Sequence, residues 1–213
     1  MRKEDTKSRI LDEALTLFSI HGYDAVSVGE IAQAVGIKAP SLYNHFAGKQ
    51  AIFDAILHEA SAQYEAETEA QSVHIENAEA DTDLFAAIDA EKLADKVCAL
   101  FCGVLHDETL GRFRRMLTIE QFRTPELSAL YTGRFVNRMT DYHRELFHRL
   151  IASGVLIDAD PALLSLAYVS PILVLLGICD RQPELEESCI EKLRAHVRLF
   201  YNTYNRKKRE ENP

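Results

Sequence analysis

The sequence predicts an all-α protein of about nine helices, in which a small N-terminal domain of three helices precedes a larger helical domain. Three observations predict this class. Apolar residues recur at spacings of three and four along most of the chain. Capping residues and glycines mark where helices begin and end. No alternating strand pattern longer than a few residues occurs, and 213 residues that are 47% hydrophobic suffice to bury a sizeable core.

The first helix is predicted to begin near Asp5 or Thr6, either of which can cap it, and to end at His21 and Gly22. A cation and a residue with positive φ are both favoured at a helix C-terminus. The apolar stripe of this helix consists of Ile10, Leu11, Ala14, Leu15 and Phe18. We expect it to support the two short helices that follow.

The second helix is predicted to begin at Ser27, which forms a capping-box pattern with Glu30. Gly36 ends this helix, and Pro40 stands in the first turn of the third helix, where its missing N–H is no loss. The apolar stripes of the two helices are Val28, Ile31, Ala32 and Val35, and Leu42, Tyr43 and Phe46. A helix, a tight turn and a helix form the helix-turn-helix arrangement.

The pattern S-x-x-x-I-A-x-x-x-G-I-x-x-x-S-L-Y-x-H-F-x-x-K-x-x-I, from Ser27 to Ile52, resembles the DNA-binding domain of TetR-family transcriptional regulators. The resemblance covers about twelve positions at the family's own spacing. It implies a helix-turn-helix DNA-binding domain over residues 1–48 and a helical ligand-binding and dimerisation domain over residues 49–213. A helix from about Lys49 to Gln71 would connect the two.

The resemblance also implies which residues face DNA. By this resemblance Ser27 and Lys49 are expected to contact phosphates, which suits the chemistry of a hydroxyl group and an amine. The remaining expected DNA contacts are Lys38, Ala39, Pro40, Ser41, Tyr43, Asn44 and His45. The alternative for Tyr43 and His45 is packing within the small domain.

The charge distribution limits how this chain can bind DNA. The formal charge is −9, whereas residues 1–50 hold six basic and six acidic side chains. A neutral reading domain on an acidic body implies DNA binding that is local and strongly dependent on salt.

The middle of the chain is predicted as follows. The acidic Ser72–Asp83 stretch is expected to be a surface loop, and residues 90–106, apolar all round, a fully enclosed central helix. Thr109 is expected to cap the next helix. Thr124 and Pro125 open a long helix that runs through Leu150 to Gly154.

Asp160 and Pro161 open a very apolar helix, with a kink near Ala167 caused by Pro171. Its apolar run, residues 163–179, approaches the length of a membrane span but contains serine, proline and glycine, so we expect a buried helix. In the last helix a seam at spacings of three and four is predicted to be the homodimer interface. That seam consists of Ile190, Leu193, Val197, Phe200 and Tyr204.

Bulky side chains in the middle helices are expected either to line a small-molecule cavity, as in TetR-like proteins, or to pack in the core. The candidate pocket residues are Phe101, His106, Phe113, Met116, Gln121, Tyr131, Phe135, Met139, Tyr142 and Tyr168.

Cys98, Cys102 and His106 are four residues apart on one helix, an arrangement that could sense a soft metal or an oxidant. Buried cysteines more often act as small hydrophobic residues, and no metal or cofactor is expected. Four cysteines without close regular pairs and no signal peptide favour a reducing cytoplasm and no membrane association.

An enzyme is not expected. His143 and His148 are five residues apart and so lie on different helix faces, unlike the histidines of a zinc-binding helix, and no nucleophile elbow or phosphate loop occurs. The sequence therefore predicts a homodimeric, sequence-specific DNA-binding transcriptional regulator. We expect it to be a repressor that binds a near-palindromic double-stranded operator and is released by a small apolar ligand. The alternative is a metal- or redox-sensing regulator that uses Cys98 and Cys102.

Overall fold

The computed structural model describes residues 3–70 and 78–207 and confirms the all-α class, since those residues form helices and no strand. The helices are α1 (Lys3–His21), α2 (Val28–Val35), α3 (Ala39–Leu42), α4 (Lys49–Ala70), α5 (Ala78–Ala87), α6 (Ala90–His106), α7 (Glu108–Glu120), α8 (Pro125–Tyr131), α9 (Arg138–Ala152), α10 (Pro161–Arg181) and α11 (Glu186–Tyr204). A π-helical segment, Thr132–Asn137, joins α8 to α9, and a 3₁₀ turn, Pro183–Leu185, precedes α11.

The chain forms two compact units. The first unit comprises Met1–Glu67 and Asp107–Tyr131, and the second comprises Thr68–His106 and Thr132–Pro213. The first unit extends beyond residue 48 because α7 packs along α1. The division between a DNA-binding domain over 1–48 and a ligand-binding domain over 49–213 stays a prediction about function.

The first unit is built on the apolar stripe predicted for α1. Gly22, with φ of +78°, ends α1 as expected. Helix α2 packs against α1, and the Phe53 ring of α4 lies 5.8 Å from the Phe18 ring. The buried apolar residues of these N-terminal helices and their connections are Ile10, Leu11, Ala14, Leu15, Phe18, Val26, Ile31, Ala32, Val35, Leu42, Phe46, Ile52, Phe53 and Ile56.

Three expectations about the middle of the chain are wrong. Residues 78–83, within the predicted loop, belong to α5, because Ala78 and Asp81 are buried and Asp81 accepts a hydrogen bond from the Tyr142 hydroxyl; residues 71–77 lie outside the described residues. Helix α7 is capped by Asp107 instead of Thr109, since Asp107 Oδ1 accepts from Leu110 N at 2.7 Å. Helix α6 is not enclosed: Leu93, Ala94, Cys98 and Phe101 are buried on one face, whereas other positions along it are exposed.

The predicted helix from Thr124 to Leu150 is divided. Thr124 and Pro125 do open it, and Thr124 Oγ1 accepts from Leu127 N at 3.3 Å. The π-helical segment then separates α8 in the first unit from α9 in the second. Gly154, with φ of +76°, follows the end of α9 as predicted.

Helix α10 is only partly buried, which corrects the expectation of a buried helix. Asp160 caps it and Pro161 stands in its first turn, as predicted. The length and mean hydropathy (2.3) of α10 would suffice to cross a membrane, and core helices of soluble proteins meet the same criteria. A third of the most apolar 18-residue stretch of α10 is buried in the subunit. Leu163, Leu166 and Val174 are 50–64% exposed. The kink near Ala167 stays a prediction.

The seam predicted on α11 for dimerisation lies mostly inside the subunit. Leu193 and Val197 are fully buried and Phe200 is 7% exposed, all within the core of the second unit. Ile190 and Tyr204 are half-buried against the same core. Spacings of three and four mark a buried face, but they do not reveal whether another chain or the same one covers it.

The predicted pocket residues are divided between the two units. Phe113, Met116, Gln121 and Tyr131 belong to the first unit, with Phe113 and Met116 buried in it. His106 is exposed on α6, where its Nε2 lies 2.8 Å from Glu186 Oε1.

The other predicted pocket residues lie in the second unit. Phe101, Tyr142 and Tyr168 are buried in its core, whereas Phe135 and Met139 are half-buried. Tyr142 and Tyr168 belong to an aromatic cluster completed by His143, Phe147 and Phe200. These contacts favour core packing for the two tyrosines.

His143 is held neutral at the centre of this cluster. Its ring lies 5.0 Å from both the Tyr142 and Tyr168 rings, and its Nδ1 donates to the Met139 carbonyl at 2.8 Å. Burial lowers the pKa of His143 from 6.5 to about 4, while burial raises the pKa values of both tyrosines, which therefore also stay neutral.

This burial predicts a pH dependence of stability. Because the folded pKa lies below the unfolded one, the unfolded chain binds the extra proton, so the free energy of unfolding falls as pH is lowered from 6.5 to about 4. The loss attributable to His143 is about 3 kcal/mol. Urea unfolding at several pH values should show that His143→Phe removes this part of the dependence. The control His148→Phe, at an exposed position of the same helix, should keep the pH dependence of the parent. If the free energy of unfolding varied with pH equally in the parent and in His143→Phe, the assignment would be contradicted.

Candidate DNA interface

The helix-turn-helix forms with the caps that the sequence predicts. Ser27 Oγ accepts from Glu30 N at 3.2 Å, and Ser27 N donates to the Glu30 carboxylate at 2.7 Å, which completes the capping box. Gly36 ends α2 with φ of +76°, a conformation that favours glycine. Ile37 N then donates to Ala32 O at 2.9 Å, so the turn into α3 is held by backbone bonds.

Helix α3 is a single turn with Lys38 at its N-cap and Pro40 near its start. The chain continues in turns after it, with Asn44 N donating to Ser41 O and His45 N to Leu42 O. This segment is anchored by Leu42, which is fully buried, and by Phe46. The C-terminus of α2 is held by Arg9, whose Nη2 donates to the Val35 carbonyl.

Every residue predicted to face DNA is at least partly accessible. Tyr43, although aromatic, is 56% exposed, so packing does not account for it. His45 and Ala39 are half-buried, which leaves the packing alternative open for His45. The exposed members of the set are Ser27, Lys38, Pro40, Ser41, Tyr43 and Asn44.

The two expected phosphate contacts are already engaged within the chain. The Ser27 hydroxyl lies 2.7 Å from the Glu30 carboxylate, to which it donates its only proton. The pKa of Glu30 is lowered by these Ser27 hydrogen bonds, which stabilise its charged form. Lys49 Nζ donates to the carbonyls of Tyr23 at 2.8 Å and Val26 at 2.7 Å, and lies 4.2 Å above the Tyr23 ring.

Helix α7 contacts the segment between α1 and α2, at Tyr23, from another side. Glu120, buried at the end of α7, accepts from Tyr23 N at 2.8 Å. Arg123 lies 4.0 Å above the Tyr23 ring, and its Nε is 2.9 Å from Glu120 Oε2, near enough for an ion pair but outside hydrogen-bond geometry. No local pattern marks these contacts, because about a hundred residues separate α7 from Tyr23 along the chain.

Comparisons with known proteins agree with this geometry. The model of the family described as "Bacterial regulatory proteins, tetR family" matches residues 10–56, which contain α2, α3 and the first residues of α4. Residues 10–56 belong to the tetR family of bacterial regulatory proteins. The transcriptional repressor ComR of Escherichia coli is 40% identical over 82 residues, which span 37% of this chain and 38% of ComR. The chain therefore matches well under half of the length of ComR.

Solved structures show the same fold over nearly the whole chain. The complex of SmeT with triclosan superimposes on this chain with a TM-score of 0.65 at 21% identity, covering 95% of this chain and 92% of SmeT. SmeT is the repressor of the Stenotrophomonas maltophilia multidrug efflux pump SmeDEF. NalD, the secondary repressor of the MexAB-OprM multidrug efflux pump in Pseudomonas aeruginosa, gives 0.61 at 24% identity, covering 95% and 97%. At such identities the likeness establishes the fold alone.

The thiol alternative gains no support from the structure. Burial raises the pKa values of Cys98 and Cys102, which suppresses the reactive thiolate. Within residues 3–70 and 78–207, no three His, Cys, Asp or Glu side chains are grouped so as to hold a metal ion.

Proposed function

We propose that this chain is a homodimeric, sequence-specific transcriptional repressor whose operator binding is relieved by a small apolar ligand. The observation that carries the DNA-binding part is the exposure of residues 38–45 on a helix-turn-helix that the tetR family model matches. Their side chains include an amine, a hydroxyl, an amide and a phenol, which are suited to base edges and phosphates. Repression is the function named for ComR, SmeT and NalD. A repressor of this kind would act in the cytoplasm.

DNA binding by an acidic chain requires its few basic groups to act locally. Lys38 is exposed at the N-cap of α3, where the leading residues of a reading helix approach the major groove. A cation at this position releases counterions from DNA and contributes to the salt dependence of binding.

Selection from a random DNA pool should recover a near-palindromic site, because the two reading helices of a dimer bind half-sites related by symmetry. Lys38→Met should then reduce the slope of log K against log salt by about 0.9 per subunit. Ser41→Ala, at a neutral neighbour, should leave the slope unchanged and alter sequence preference. Recovery of no enriched sequence would refute the proposal.

Dimerisation is proposed through the exposed apolar faces of α10 and α11. These two helices pack against each other. Besides Leu163, Leu166 and Val174 on α10, Leu199 on α11 is 67% exposed. Exposed apolar groups repeated along neighbouring helices are typical of subunit interfaces.

The dimer assignment is tested by a matched pair of substitutions. Leu166→Asp should give a folded monomer that binds operator weakly, since a charge is tolerated in water but not in an apolar interface. Val197→Asp should instead unfold the subunit, because Val197 is fully buried in its core. Sedimentation and circular dichroism distinguish these results; a dimer that persists in Leu166→Asp would exclude this face.

Ligand binding is proposed for the second unit, by likeness of fold to SmeT, whose structure contains triclosan. Among the predicted pocket residues, Phe135 and Met139 are half-buried, so their side chains have room to change position. An apolar ligand would be recognised mainly by such flexible apolar groups.

Triclosan is a suitable first probe for this site. It should raise the unfolding temperature of the parent and release operator, and Met139→Trp should blunt both effects by filling space while operator binding survives. The chain contains no tryptophan, so this variant also supplies a single fluorescent reporter. The Cys98→Ala, Cys102→Ala control should respond as the parent does. Release by peroxide or zinc that this control abolishes would favour the thiol sensor.

A further inference from the structure

We infer that Lys49 and Glu120 are positioning residues for DNA binding, which fix the Tyr23–Ser27 segment and thereby the start of α2. The inference rests on the proposed DNA-binding function and concerns how that site is held. It assigns Lys49 a role other than the phosphate contact that the family resemblance implies.

The ammonium group of Lys49 is committed to this segment. Two of its three N–H groups donate to the carbonyls of Tyr23 and Val26, at 2.8 and 2.7 Å, and the charge lies 4.2 Å above the Tyr23 ring. Hydrogen bonds from a charged donor are stronger than neutral ones. Using either of these two N–H groups for a phosphate would require Lys49 to give up a hydrogen bond of comparable strength.

Glu120 holds the other side of the same residue, Tyr23. Its carboxylate accepts from Tyr23 N at 2.8 Å, while Lys49 takes the Tyr23 carbonyl. The carboxylate is oriented by Arg123, which also lies over the Tyr23 and Phe53 rings at 4.0 and 5.0 Å. The N–H group of Tyr23 is thus hydrogen-bonded to α7 and its C=O group to α4, and the two bonds together fix the position of this residue.

The held segment leads directly into the DNA-facing surface. Val26 is buried, and the next residue is Ser27, the N-cap of α2. The position of Ser27 sets where α2 begins, and α2 carries the turn at Gly36 that places α3. Displacing Tyr23–Ser27 would therefore move the reading helix relative to its partner's, which a palindromic site does not tolerate.

The positioning role and the phosphate role predict different salt dependence. A lost phosphate contact lowers the slope of log K against log salt, whereas a misplaced reading head weakens binding with the slope retained. Glu120 provides a second distinction. Removing a negative charge by itself would strengthen DNA binding, so a loss of affinity in Glu120→Ala is explained by position and not by charge.

The experiment measures operator affinity between 50 and 200 mM salt, a range of roughly fourfold over which phosphate contacts are readily counted. Lys49→Met and Glu120→Ala should each bind about tenfold more weakly than the parent at every salt concentration, with the parental slope. The matched control Lys38→Met should lower the slope. Because both residues hold one segment, the double variant should lose less than the sum of the two single losses in log K.

Thermal unfolding of each variant establishes that it is folded at the temperature of the measurement. Where Glu120→Ala fails to fold, Glu120→Gln keeps the volume and an accepting oxygen while losing the charge that pairs with Arg123, and it should show a smaller loss at the same slope. A slope in Lys49→Met reduced as in Lys38→Met, parental or tighter binding by Glu120→Ala, or additive losses would each overturn the inference. A parent that binds no selected DNA refutes the proposed function instead.

Discussion

The DNA-facing surface depends on the burial of Leu42 and Phe46. Helix α3 has a single turn, and a helix of four residues has no stability of its own in water. Burying these two side chains contributes about 1.5–3 kcal/mol each, and it fixes which side of the turn faces outward. The exposure of Lys38, Ser41 and Tyr43 follows from this anchoring.

Hydrogen bonds from charged side chains, in addition to apolar packing, hold the helices of the first unit together. Arg112 on α7 donates to Asp12 and Thr16 on α1 at 2.7 and 2.6 Å, and Glu120 bonds the turn that follows α1. These contacts bring α7 into the unit that contains the helix-turn-helix. Residues from the middle of the chain thereby help to determine the geometry of the N-terminal surface.

Two kinds of apolar face occur on α10 and α11, and they have different consequences. One face forms the core of the second unit through residues such as Val169 and Leu193, both fully buried. The other leaves Leu166 and Leu199 largely exposed. A substitution on the first face changes folding, whereas one on the second changes association, so a seam of apolar residues cannot be interpreted until its own subunit is accounted for.

The sequence by itself determined the local features: the capping box at Ser27, the glycine turn at Gly36, the first turn at Pro40 and the caps at Thr124 and Asp160. These follow from short-range rules, because the interacting groups are at most five residues apart. The sequence could not show that Val197 faces its own core, that Asp81 meets Tyr142, or that Lys49 and Glu120 converge on Tyr23. Such contacts depend on which helices pack together, and a helical periodicity specifies that a face is buried without specifying what buries it.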